Sequence, residues 1–152
     1  MERIKSFTIN HDVLMPGFYI SRVDGDITTY DLRTRRPNMG DYMSDLTMHS
    51  VEHMFATLVR NSEIADDVIY FGPMGCQTGF YLLIRNADHK KVFEVTKKLM
   101  HQIAEKEEKM YGQSAVECGN YRCLDIDAAK KECAYYADVL EHQTDMTFTY
   151  PE

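Results

Sequence analysis

The sequence predicts an α+β fold, in which α-helices pack on one face of an antiparallel β-sheet. Three observations support this prediction: a clear hairpin near the N-terminus, two short apolar strands around a glycine-rich turn, and amphipathic stretches with helical spacing. The 152 residues have the length of one domain, without repeats or linkers. We therefore expect residues 1–152 to form a single domain.

The first predicted element is a β-hairpin over residues 17–34. Apolar residues flank Asp24 and Gly25, a dipeptide that is typical of tight hairpin turns. Pro37 and Gly40 then interrupt the strand pattern. The hairpin is thus expected to end before residue 37.

Three helices and two strands are predicted after the hairpin, in the order helix, strand, strand, helix, helix. They cover about residues 45–60, 67–71, 80–84, 89–110 and 127–142, and the stretch before the last helix is irregular. The first two of these helices follow side chains that can accept hydrogen bonds from free N–H groups, namely Ser44 or Asp45, and Asp88. This order of elements favours strands that pair locally, under a layer of helices.

The composition excludes several classes of function. With a formal net charge of −7, the chain is a poor candidate for binding nucleic acid or an anionic membrane. No apolar run approaches the roughly 18–20 residues that span a bilayer, and the N-terminus has no apolar segment typical of a signal peptide. We therefore expect a cytoplasmic protein, in which the four cysteines are thiols, ligands or nucleophiles rather than disulfides.

The segment HSVEH places two histidines one turn apart on the first predicted helix. Residues three and four apart lie on one helix face, so His49 and His53 can chelate one metal ion, with Glu52 at the edge of that face. This H-x-x-E-H pattern is the inverse of the zincin motif, in which a glutamate beside the metal acts as a general base. Two surface histidines and a solvated glutamate are the alternative interpretation.

Two cysteines lie in loops that suit a functional thiol. Cys76 lies in the turn GPMGCQTG between the two short strands, although the local sequence alone favours the interpretation that it is an incidental small apolar residue in a turn. Cys118, in ECGNYR, precedes a glycine and can complete a site that begins with two helical histidines. Three protein ligands leave one position open, which is typical of catalytic rather than structural sites. Cys133 lies within the last helix and is expected in the core.

Together, HSVEH, GPMGCQTGFYL and ECGNYR resemble the LuxS family of S-ribosylhomocysteine lyases in order and separation, as do SFTINH at residues 6–11 and YDLRTRRPN at residues 30–38. The resemblance covers nearly the whole chain. The chain differs from many family members at Tyr70, where they carry an acidic residue that is thought to contact the sugar.

The resemblance implies a homodimer with two sites at the interface, where the N-terminal residues reach the partner's metal. It also implies one divalent metal per subunit, ferrous iron in the cell with zinc or cobalt able to replace it. The residues that it assigns are the metal ligands His49, His53 and Cys118, the acid/base residues Glu52 and Cys76, and the substrate contacts Ser6, His11 and Arg33.

The implied reaction splits S-ribosylhomocysteine into homocysteine and 4,5-dihydroxy-2,3-pentanedione, the precursor of autoinducer-2. A thioether leaves readily only when a carbonyl stands next to the carbon that becomes a carbanion, so the carbonyl must migrate along the sugar before β-elimination. Each migration needs a Lewis acid for the developing negative charge and two groups that move protons.

Two other functions use the same residues. A small metallohydrolase would use Glu52 to activate a metal-bound water, but the chain is short for a peptidase cleft and lacks the P-C-x-x-C pair of deaminases. A metal-storage or structural protein would need a fourth protein ligand, which Cys76 would have to provide.

Overall fold

A computed structural model describes residues 1–152 and confirms the α+β fold class. Four antiparallel strands form one sheet in the order β1-β2-β4-β3, and three α-helices follow the sequence order predicted for them. The elements are β1 (Gly17–Asp24), β2 (Ile27–Arg33), α1 (Asp45–Val59), β3 (Val68–Pro73), β4 (Gly79–Arg85), α2 (His89–Glu105) and α3 (Ile126–Glu141).

The predicted hairpin is β1 and β2, closed by a tight turn at Gly25. Gly25 has φ of +61°, a left-handed conformation that glycine adopts without strain. Successive side chains of a strand point to opposite faces. Tyr30 and Leu32 of β2 therefore enter the core under the helices, whereas Asp31 and Arg33 project from the other face of the sheet.

The helices pack on the core face through their apolar stripes. α1 packs against β3, and α3 lies between the other two helices and reaches β1. Cys133 of α3 is 1% exposed, as expected for a core residue, and burial raises the pKa of its thiol well above the usual value. None of the three helices combines the length and the apolarity needed to cross a membrane.

One predicted boundary is wrong: α2 ends at Glu105, five residues before the predicted end at Met110. The buried stripe of this helix stops at Ile103, and residues 105–109 are all charged, so a further turn would have had no apolar face to bury. The chain instead turns, and Met110 and Tyr111 pack back against the core.

Candidate metal centre

Helix α1 presents His49 and His53 to the segment between α2 and α3. The helix begins at Ser44, whose hydroxyl accepts a hydrogen bond from the Thr47 N–H at 3.1 Å. Val51 and Phe55 are buried in the core, which fixes the rotation of the helix. The two histidines therefore face the irregular segment between α2 and α3.

Three donor atoms converge at this point. His49 Nε2 and His53 Nε2 are 3.1 Å apart, and Cys118 Sγ is 3.4 Å from His49 Nε2. All three atoms lie within 4.8 Å of one another. Ligands of a tetrahedral metal with bonds of about 2.1 Å to nitrogen and about 2.3 Å to sulfur lie roughly 3.3–3.6 Å apart. The spacing of the donors thus fits a single ion.

Hydrogen bonds to backbone carbonyls select the tautomer of both imidazoles. His49 Nδ1 lies 2.7 Å from the carbonyl oxygen of Cys123, and His53 Nδ1 lies 2.8 Å from that of Tyr111. A carbonyl only accepts hydrogen bonds, so in the neutral form of each imidazole the proton is on Nδ1 and Nε2 presents a lone pair. Two lone pairs 3.1 Å apart repel each other unless a cation lies between them. The donor set therefore suits a bound metal ion.

The irregular segment is shaped to bring Cys118 and the carbonyl groups into position. Gly112 has φ of +70°, and a Cβ at this residue would lie 3.0 Å from His53 Nδ1. The Cys118 N–H donates to the Ser114 carbonyl at 3.1 Å, and the Asn120 N–H points to Cys118 Sγ at 3.4 Å. These contacts hold the thiol toward α1 without a helix or strand.

Glu52 and Cys76 lie outside the three-donor group. Glu52 is half-buried on α1, in the turn between the two histidines. Cys76 is exposed in the turn between β3 and β4, where its sulfur lies 3.0 Å from Thr78 Oγ1 and 3.8 Å from Arg33 Nη1. The structure therefore gives no fourth protein ligand from Cys76.

Arg33 is held by buried partners rather than being free in solvent. Its guanidinium pairs with both oxygens of Asp31, at 3.1 and 2.7 Å, and donates to Thr78 Oγ1 at 2.8 Å. Burial alone would lower the pKa of Arg33, but the Asp31 carboxylate raises it above the usual value. The Arg33 side chain is only 2% exposed, and the group it presents to Cys76 is a fixed positive charge.

Ser6 and His11 lie on the N-terminal segment, outside their own chain's three-donor group. Ser6 lines a cavity of about 210 Å³ with Tyr81 and Thr29 on the sheet. His11 is half-buried, with Nδ1 2.9 Å from the Ile9 carbonyl oxygen. The structure thus brings together the three predicted metal ligands, and separately Arg33 with Cys76, whereas Ser6 and His11 join neither group.

Tyr70, where the sequence is expected to depart from the family pattern, lies beside a glycine. Its hydroxyl lies directly over Gly72, so that a Cβ on Gly72 would overlap the tyrosine ring. Tyr70 itself is 50% exposed on β3. The phenol therefore occupies space that any larger residue at position 72 would fill.

Sequence reasoning missed the groups that orient the predicted residues. The carbonyls of Cys123 and Tyr111 leave no trace in the sequence, because any residue supplies a carbonyl. Asp31 could have been found, since it lies two residues before Arg33 on a predicted strand and must share its face. Thr78 follows Cys76 in the predicted turn, but nothing in the sequence singles it out.

Comparisons with known proteins give one consistent result. The family model described as S-Ribosylhomocysteinase (LuxS) matches residues 4–147. The chain is 43% identical to the S-ribosylhomocysteine lyase of Clostridium beijerinckii over 99% of both chains, and 41% identical to that of Finegoldia magna over the whole of both. It is 40% identical to that of Borreliella afzelii over 99% of this chain and 100% of the relative.

Proposed function

This chain belongs to the S-ribosylhomocysteinase (LuxS) family, and from this premise we propose that it is a carbon-sulfur lyase that cleaves S-ribosylhomocysteine to homocysteine and 4,5-dihydroxy-2,3-pentanedione. The observation that carries the proposal is the convergence of His49, His53 and Cys118, three donor atoms within 4.8 Å. Three ligands leave room for substrate oxygens, as a catalytic site requires.

A divalent metal held by His49, His53 and Cys118 would act as a Lewis acid toward the sugar oxygens. Ferrous iron is our proposal for the cell, because the family resemblance implies it. Zinc or cobalt could replace it, because His₂Cys sites accept all three metals. The carbonyls of Cys123 and Tyr111 support this role, since they leave each Nε2 free to bind.

Proton transfer is proposed for Glu52 and Cys76. Carbonyl migration removes a proton from one carbon and returns it to the next, and β-elimination removes one more. Glu52 is half-buried beside the two histidines, and Cys76 is exposed, with Arg33 and Thr78 next to its sulfur. The thiolate is the form of cysteine that accepts protons, and the Arg33 guanidinium lies 3.8 Å from this sulfur. Neither residue is needed as a metal ligand, which leaves both free for this task.

The direct test is incubation of the metal-loaded protein with S-ribosylhomocysteine and measurement of released homocysteine thiol. We expect thiol release that depends on time and on enzyme concentration, and that stops after metal removal by a chelator. A metallohydrolase that uses the same helix would release no homocysteine from this thioether. Absence of thiol release from the fully metal-loaded protein would therefore contradict the lyase function.

We further propose a cytoplasmic homodimer in which Ser6, His11 and Arg33 contact the substrate. Ser6 and His11 lie outside their own chain's three-donor group. The same segment exposes apolar side chains, with Ile4 59% and Phe7 65% exposed, which a second copy would cover. A two-fold interface would place each N-terminal segment at the other chain's metal. The four unpaired cysteines suit the reducing cytosol.

Mixed dimers test the shared site. We expect that an inactive His11→Ala variant and an inactive Glu52→Gln variant recover part of the activity when their subunits exchange. In a shared-site dimer, one site then carries both defects and the other carries neither. Activity is measured after exchange, which mass spectrometry must confirm. If His11 serves the metal of its own chain, every mixed site keeps one defect and no activity returns.

A further inference from the structure

The C-terminal tail returns to the sheet after α3. The Ile20 N–H of β1 donates to the Phe148 carbonyl at 2.7 Å, and the Phe148 ring is 3% exposed, 5.4 Å from Phe18. Two residues later, the Tyr150 ring stacks on Tyr19 with centroids 5.2 Å apart. The tail is thus anchored beside β1 by both backbone and side-chain contacts.

The anchored tail places the Tyr150 hydroxyl beside the buried carboxylate of Asp31. Tyr150 donates to Asp31 Oδ2 at 2.7 Å, and Asp31 has no exposed surface. Burial, followed by the charge of Asp31, raises the pKa of Tyr150 well above the usual value, so the phenol keeps its proton and remains a donor. Asp31 therefore receives a hydrogen bond from the tail in addition to the two from Arg33.

Arg33 links Asp31 to Cys76, the thiol proposed to transfer protons. The Asp31 carboxylate fixes the plane of the Arg33 guanidinium, because it binds both Nε and Nη2. The remaining nitrogen, Nη1, donates to Thr78 Oγ1 and lies 3.8 Å from Cys76 Sγ. Since the Thr78 oxygen accepts from Arg33, its own proton can point to the sulfur 3.0 Å away. Both contacts place a hydrogen-bond donor beside the sulfur.

We propose that Tyr150 is a positioning residue for the reaction: its hydroxyl fixes Asp31, and through Asp31 it holds the Arg33 guanidinium beside Cys76. The proposal rests on the proposed lyase function only in assigning a use to the Cys76 thiolate. The geometric link itself, from tail hydroxyl to sulfur, holds whatever the substrate is. The C-terminal tail thereby becomes part of the machinery that keeps Cys76 reactive.

The test compares how fast iodoacetamide alkylates Cys76 in the unaltered protein and in its variants. The metal-loaded proteins react at neutral pH, and peptide mass spectrometry measures the modified fraction over time. Cys76 is exposed within its own chain, and none of the substitutions alters the N-terminal segment that a second copy would contribute, so a difference in rate between variants reports thiolate character rather than accessibility. We expect Tyr150→Phe to react roughly 3- to 10-fold more slowly than the unaltered protein, and Arg33→Met more slowly still. Homocysteine release should fall in parallel in both variants.

Tyr19→Phe is the matched control, because its hydroxyl donates to the Met15 carbonyl at 2.7 Å instead of Asp31, while its ring stacks on Tyr150. It should react like the unaltered protein. Unchanged alkylation in Tyr150→Phe, or equal slowing in Tyr19→Phe, would overturn the proposal, as would unchanged alkylation in Arg33→Met. If the unaltered protein releases no homocysteine, the lyase function fails while the order of alkylation rates still decides the role of Tyr150.

Discussion

Alanine at His49, His53 or Cys118 is expected to remove the metal and, with it, almost all lyase activity. Groups that only orient a ligand typically contribute about 10- to 100-fold to metal affinity, so loss of a ligand should cost at least that. The unaltered protein should purify with about one metal ion per chain. Each of the three variants should contain far less, because two remaining donors hold an ion weakly.

Elemental analysis of the purified variants measures this directly, and Cys123→Ala is the matched control for Cys118→Ala. Cys123 lies in the same irregular segment, but only its backbone carbonyl touches the centre, and alanine keeps that carbonyl. The control should therefore retain its metal. Full metal content in Cys118→Ala would remove that residue from the centre and would favour a site built by the histidines with some other ligand.

The parts of the fold that the sequence predicted are those governed by local rules. The turn at Gly25 and the hydrogen bond from the Thr47 N–H to Ser44 follow from residue types at fixed spacing, and the structure contains both. The sequence pattern predicts too late an end for α2, because charged residues are compatible with a helix in isolation. The helix ends because it has no apolar face to pack against the core beyond Ile103, and such packing is a tertiary effect.

The candidate site also combines features that local rules predict with features that they do not. The pairing of His49 with His53 follows from helical spacing alone, and the distance of 3.1 Å between their Nε2 atoms agrees with it. The loop setting of Cys118 made it a candidate third ligand, but only the resemblance to a family assigned it to the site, since no local rule joins a loop to a helix 69 residues away. The contact between Tyr150 and Asp31 spans 119 residues and had no signal in the sequence at all.

Glu52→Gln and Cys76→Ala are expected to keep the metal and lose most of their turnover. Glutamine preserves the size of the Glu52 side chain and removes its charge and its ability to exchange a proton. Alanine at Cys76 removes a sulfur that lies outside the three-donor group. Groups that transfer protons contribute about 10²- to 10⁴-fold to turnover, so each variant should be slower by a factor in that range.

Metal content and turnover must be measured on the same preparations, because only their separation identifies proton transfer. Glu63→Gln is a suitable control, since Glu63 is an exposed carboxylate that pairs with Lys98 at 3.3 Å and should change neither quantity. If Cys76→Ala also lost its metal, the sulfur would be a fourth ligand, and the closed site of a storage or structural protein would explain the centre better than a lyase. If Glu52→Gln kept full turnover, proton transfer would have to be assigned to another group. Retained metal with a large loss of turnover in both variants is the one combination that a lyase with an open three-ligand centre requires.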